Sequence, residues 1–161
     1  MDKNEVLAFL RQSHIDYQIA EHPAAKTIEE IDVFDLPNGQ YIVKNLFLRD
    51  DKKRNYYLLL LRKDKTVDLK GLRTKLGTRP LSFASEGDLL RFLALPKGSV
   101  TPLGILNDDS HCVQVIADRD VLRFPLIGVH PNENTATVWL APKALQGLIE
   151  AHGNPFLSAQ L

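Results

Sequence analysis

Residues Phe124 to Pro142 read FPLIGVHPNENTATVWLAP, and this stretch decides the fold class. Leu126, Ile127 and Val129 run into His130-Pro131, a polar turn Asn132-Glu133-Asn134 follows, and Thr135 to Leu140 resumes as a β-branched and aromatic run. That is the pattern of a β-hairpin. Alternation in the return arm puts Thr135, Thr137 and Trp139 on one face and Ala136, Val138 and Leu140 on the other, so each arm has a face to bury. His130 and Asn134 flank a loop short enough to aim both side chains at one point, and Pro131 stiffens the backbone between them. A solvated turn accounts for the same residues, so the other segments decide what the tip does.

On the N-terminal side of the hairpin, helical and extended patterns alternate. Asp2 with Glu5 forms a capping pair ahead of the stripe Val6, Phe9, Leu10, and Ile15, Tyr17 and Ile19 alternate as a short strand. Thr27 and Glu30 cap a second helix that Pro37-Asn38-Gly39 ends. Tyr41 to Asp50 and the apolar run YYLLLLRK then read as two paired strands, the second buried on both faces. Leu69, Leu72 and Leu76 form the inner face of a basic helix stopping at Gly77, Leu81 to Ala84 is a short strand, and Ser85 with Asp88 caps a further helix. Val113 to Ala117 and Val121 to Phe124 are expected as strands, and a last helix runs from Pro142 to Gly153. Helices and strands in this order specify an α+β domain with a mixed or antiparallel sheet. At 161 residues the chain is read as one domain, 1–161.

Composition excludes several classes. The single cysteine, Cys112, allows no internal disulfide and suits a reducing compartment. The start MDKNEVLAFLRQS lacks a secretory pattern, and no apolar run approaches the ~20 residues of a membrane span, so a cytoplasmic protein without membrane contact is expected. Dinucleotide and P-loop fingerprints are absent. The five histidines are scattered, so neither a metal nor a cofactor is expected. Ser99 and Cys112 lack the surroundings of a nucleophile.

Three features point toward chemistry. Net charge is zero, but residues 44–79 hold twelve Lys/Arg against four Asp/Glu, while 1–43 hold three against eight and 80–161 five against eight. A basic face can hold a phosphate backbone in a neutral protein. Lys44 lies on the face of Ile42, Leu46 and Leu48, where a charge needs a wet rim or an anion. The loop Gly98 to Gly104, GSVTPLG, turns sharply between its glycines while Pro102 keeps it stiff, an arrangement that can present N–H groups to an anion or an oxyanion.

VKNLFLRD (Val43 to Asp50), GSVTPLG (Gly98 to Gly104) and GVHPNENTATV (Gly128 to Val138), in that order and spacing, resemble the YbaK/prolyl-tRNA-synthetase-associated family of aminoacyl-tRNA deacylases. The match is closest to its free-standing members, which hydrolyse alanine from mischarged tRNA(Pro), and it covers essentially the whole chain. The resemblance implies a curved, mixed, nearly barrel-like sheet packed with helices around one cleft. It implies that activity depends on Lys44, set against the ribose or phosphate of the terminal adenosine with Asn45 beside it, and that the Gly98–Gly104 loop stabilises the tetrahedral intermediate. Ser99, Thr101, Pro102 and Gly104 are the loop's candidates. His130 would line the aminoacyl pocket, with Asn134 and Thr135 supporting the tip, and the ribose 2′-hydroxyl would help activate water. Lys70, Arg73 and Arg79 are candidates for holding the acceptor end of tRNA(Pro). A monomer is expected, with prolyl-tRNA synthetase as a possible partner. Hydrolysis of cysteinyl or seryl esters and a non-catalytic tRNA- or synthetase-binding module are the alternatives.

Overall fold

The computed structural model describes all 161 residues. Helix α1 (Lys3–Gln12) opens with Asp2 and Glu5 closing a capping box, and it buries Val6 and Leu10. Strand β1 (Gln18–Glu21) and helix α2 (Ile28–Val33), capped by Thr27, lead through a 3₁₀ turn at Gly39–Tyr41 into β2 (Val43–Asp50) and β3 (Tyr56–Arg62). Then follow α3 (Leu69–Leu76), β4 (Leu81–Phe83), α4 (Glu86–Leu93), a 3₁₀ segment at Pro102–Asn107 and β5 (Val113–Asp118). The short helix α5 (Arg119–Leu122), β6 (Ile127–Val129), β7 (Ala136–Leu140), α6 (Pro142–His152) and β8 (Phe156–Ala159) complete the chain.

The α+β class read from the sequence is the observed one. The strands form two sheets, one antiparallel in the order β1-β7-β6 and one mixed in the order β4-β2-β3-β5-β8. The sheet does not close as a barrel, and this corrects the barrel-like expectation. The two sheets meet through one isolated parallel bridge, Ile42 to Gly128. Gly128 is required there. A Cβ would lie 2.7 Å from Trp139 Nε1 and 2.9 Å from Ile42 Cγ1, and the indole is itself held by a 3.0 Å bond from Nε1 to the Asn38 carbonyl.

β3 is buried along nearly its whole length, as its continuous apolar run requires. Leu58 and Leu60 join the main core beneath α1, α4 and α6, while Leu59 and Leu61 join a second cluster beneath Leu72 of α3. One expectation fails and one strand is absent from the sequence reading. Val121 to Phe124 is not a strand: Asp118 accepts from the Asp120 amide and starts a helical turn there, with Val121 still in the core. β8 went unread because it has four residues, FLSA, with no alternation of its own, and its parallel pairing with β5 creates it.

Candidate active site

A cleft of about 310 Å³ opens at the seam between the sheets. β2 contributes Lys44 and Asn45, the hairpin contributes Gly128, His130 and Thr137, and the loop after α4 contributes Gly98 and Val100. Lys26, just before α2, Glu29 in its first turn and Lys63, just after β3, complete the rim. The three sequence segments that resemble the deacylases therefore do converge.

Lys44 ends the apolar face that it shares with Leu48, and its ammonium donates to the carbonyl of Lys65. An ammonium has three donors, so two remain for a ligand. The accepting loop is itself fixed, because Lys65 Nζ lies 2.7 Å from both Asp118 and Asp120. Burial works against that Lys65 charge, but its bonds to the two carboxylates outweigh it and raise the pKa. Asn45 points the other way, toward the main core, and its Oδ1 is buried with no partner in the protein. An unmatched buried acceptor is costly unless a ligand or water completes it.

His130 Nδ1 lies 2.9 Å from the Ala136 carbonyl, which can only accept, so Nδ1 carries the hydrogen and Nε2 is left with a lone pair. Desolvation pushes the imidazole below its ordinary pKa; the Ala136 bond partly opposes this, and the charge of His22 adds to it. Above that lowered pKa the ring is a neutral acceptor. His22 stands behind, its ring 6.1 Å from His130, stacked on Phe34 at 5.5 Å, and 2.9 Å from the Thr137 hydroxyl through Nε2.

In the loop, Gly98 takes φ +84° with Lys26 packed 3.0 Å from where a Cβ would stand. Ser99 N–H is spent on Pro96 O and Gly104 N–H on Thr101 O, whereas the N–H groups of Gly98 and Val100 have no protein acceptor. Both residues line the cleft. Thr101, fully buried, donates from its hydroxyl to the His130 carbonyl at 2.6 Å and ties loop to hairpin.

Several expected residues sit elsewhere. Ser99, Thr101, Pro102 and Gly104 are buried behind the cleft rather than on its wall, and a Cβ on Gly104 would meet Leu95 at 2.7 Å, which makes it a packing glycine. Asn134 and Thr135 act through their carbonyls, which hold Ala25 and His22 at the start of the α2 approach. Asn132, not Asn134, is the buried tip asparagine, and it donates to the Met1 carbonyl. Lys70 and Arg73 are exposed on α3, and Arg79 is committed to a two-pronged pair with Asp51 at 2.7 and 3.0 Å. Lys26, Glu29, Lys63 and Thr137 were missed; each lies in a segment whose local pattern is ordinary, and only the tertiary fold brings it to the cleft.

The model of the aminoacyl-tRNA editing domain matches residues 22–148, a span containing every cleft residue named above. The chain belongs to this family. The chain is an aminoacyl-tRNA deacylase. It is 45% identical over 159 residues to the prolyl-tRNA editing protein ProX of Acetoanaerobium sticklandii, with 99% of this chain and 97% of that one covered. A prolyl-tRNA synthetase associated domain-containing protein 1 of Xenopus laevis is 32% identical over 160 residues, covering 94% and 92%. A solved structure reported as a candidate trans-editing enzyme for prolyl tRNA synthetase superposes with a TM-score of 0.73 at 24% identity, covering 99% of this chain and 95% of that one. That superposition bears on the fold. No helix is long and apolar enough to cross a membrane.

Proposed function

We propose that the deacylase removes alanine from mischarged tRNA(Pro), acting in trans on the product of prolyl-tRNA synthetase. The observation that carries this reading is the meeting of Lys44, Asn45, His130 and the two free loop amides around a cleft of about 310 Å³. That volume has to take both the esterified ribose and the amino-acid side chain. A synthetase pocket built for proline excludes the smaller alanine by only ~1–3 kcal/mol per missing methylene. A second, smaller pocket admits alanine and rejects proline by clash.

The ester needs no protein nucleophile, because water attacks an already activated carbonyl. Lys44 offers its two remaining donors to the ribose or phosphate of the terminal adenosine. Gly98 and Val100 N–H groups face the oxygen that gains charge in the tetrahedral intermediate. Neutral His130 accepts at Nε2, either from the substrate ammonium or from the attacking water, and the ribose 2′-hydroxyl shares in activating that water. Transient association with prolyl-tRNA synthetase would deliver the substrate.

The test is single-turnover hydrolysis of Ala-, Pro-, Ser- and Cys-tRNA(Pro) by the wild-type protein and by Lys44→Ala. Selective loss of the alanyl ester is expected, with Lys44→Ala slower by about 10²- to 10³-fold and folded by circular dichroism. Lys44→Arg should not rescue, since its planar fork cannot occupy the position of an ammonium bonded to Lys65 O. Preference for the seryl or cysteinyl ester would replace the alanine assignment, and full rate in a folded Lys44→Ala would remove the site.

A further inference from the structure

β4 pairs with β2 only opposite Leu48 to Asp50, and the bridge to Gly128 touches the other end of that edge at Ile42. Between them, Lys44 to Leu46 form a gap in the strand pairing. The loop Gly98–Val100 lies beside this gap, and Asn45, Gly98 and Val100 line depressions on either side. One side is the cleft already described. The other is a groove of about 310 Å³ whose walls include Leu46, Phe47, Phe83, Leu89 and Lys97.

Phe83 ends the edge strand β4 and is 60% exposed, with no aromatic ring of the protein against it. Single exposed apolar residues are common and need no explanation. This one lies in a groove that shares Asn45, Gly98 and Val100 with the cleft, and helix α4, which supplies Leu89 to that groove, is anchored to β2 and β3. Arg49 Nη1 meets Asp88 at 2.5 Å, the Tyr56 hydroxyl donates to the same carboxylate at 3.2 Å, and Asp88 closes the capping box of α4. Desolvation opposes the charge on Asp88, but the bonds from Ser85 and Arg49 prevail and lower its pKa, so this anchor stays ionised and paired. Beside the ring, Lys97 has only Glu86 at 3.4 Å, with 80% and 72% of the two side chains exposed, a pair that water and salt readily open.

We propose that this groove is a nucleotide subsite: Phe83 stacks on the base that precedes the esterified adenosine, and Lys97 meets its phosphate. The inference rests on the deacylase reading, since it takes the ester to sit in the cleft. The 3′ end of a tRNA is single-stranded, and its chain has to leave the cleft through an open side. The gap at Lys44–Leu46 leads directly onto an aromatic ring and an available ammonium. That pairing of a stacking surface with a cation is how proteins hold single-stranded nucleotides without reading their sequence, each stacked base being worth about 5- to 150-fold in affinity.

Two measurements test it. In the first, kcat/KM is determined for alanylated minihelix ending in CCA and for 2′(3′)-O-alanyladenosine, which lacks the preceding nucleotide. Phe83→Ala should lower the ratio of the long to the short substrate by about 5- to 150-fold, Phe83→Tyr should restore it, and Lys97→Gln should lower the salt dependence for the long substrate by about 0.7 in log–log slope. A ratio equal to wild type in Phe83→Ala overturns the proposal, as does equal loss on both substrates. The second uses uncharged oligonucleotide ACCA and Phe83→Trp. The only native tryptophan, Trp139, is 2% exposed, so fluorescence quenching absent from wild type reports position 83. Quenching by ACCA supports the subsite even if no ester is cleaved, which would remove the deacylase reading alone; no quenching, or quenching only by an apolar peptide, overturns it.

Discussion

At the scale of single residues, the site works by leaving chosen donors and acceptors unmet. Lys44 spends one of three donors on Lys65 O, Asn45 Oδ1 has no protein partner, and His130 has its hydrogen fixed on Nδ1 by Ala136. The last has a pH signature. Because burial depresses the folded pKa of His130, the unfolded chain binds the extra proton first. His130 therefore contributes stability above the unfolded imidazole value, about 6.5, and that contribution is lost as pH falls through the lowered folded pKa. Activity needing neutral Nε2 should follow the same direction: after subtraction of spontaneous hydrolysis, kcat/KM for alanyladenosine should show an acidic limb with its midpoint below about 6.5. His130→Gln, which can still donate and accept but does not titrate, should lose that limb. An unchanged limb in the glutamine variant would assign the titration to another group.

At the scale of elements, the cleft exists because the hairpin β6–β7 and strand β2 approach closely at one point, and Gly128 sets that approach. Its missing Cβ faces the hydrogen-bonded indole of Trp139 and the Cγ1 of Ile42, whereas the missing Cβ of Gly104 faces chiefly the terminal methyl of Leu95, with the Cβ of Leu93 at 3.3 Å. Urea denaturation should accordingly find Gly128→Ala destabilised by about 1–3 kcal/mol and Gly104→Ala by less; the reverse order would show that the seam yields more easily than the α4 packing. This contrast also marks how much could be read without coordinates. The hairpin, the capped helices α1, α2 and α4 and the doubly buried β3 were legible because each follows a local rule of periodicity or capping. Lys44 stood out as a charge on an apolar face, and His130 as a histidine at a stiff tip. What a glycine or threonine faces is set by residues distant in sequence. Thus Gly104 and Thr101, candidates for catalysis and substrate binding, stand behind the cleft wall, Thr137 reads from sequence only as strand, and the barrel-like sheet expected there is two sheets joined by one bridge, Ile42–Gly128.

At the scale of the whole molecule, the proposed cleft and subsite would lay a tRNA end along β2. Lys44 stands at its start, Phe83 pairs across from Leu48, and the β2–β3 turn begins at Asp51, about 23 Å from Lys44 at ~3.3 Å per residue. Beyond the turn, Arg79 links it to the end of α3. The basic segment 44–79 is less available than its composition suggests. Arg49, Arg62, Lys63, Lys65 and Arg79 are paired with carboxylates, which leaves Lys52, Lys53 and Arg54 at the turn and Lys70, Arg73 and Lys75 on α3 to meet phosphates outside the cleft. Of these, Lys52, Lys53 and Arg54 lie at the end of β2 remote from Lys44, and α3 packs beside β4, so a double-stranded stem that follows the single-stranded end would meet both groups. Phosphate contacts each contribute about 0.7–0.9 to the slope of log affinity against log salt. The double variant Lys70→Gln/Arg73→Gln should lower that slope for uncharged tRNA by about 1.4–1.8, while Arg79→Gln, whose charge is already matched by Asp51, should change it by much less. Filter binding between 50 and 300 mM salt decides between them: an α3 variant with the wild-type slope would move the stem off α3, and an Arg79 variant with the larger loss would mean that the pair with Asp51 opens when tRNA binds.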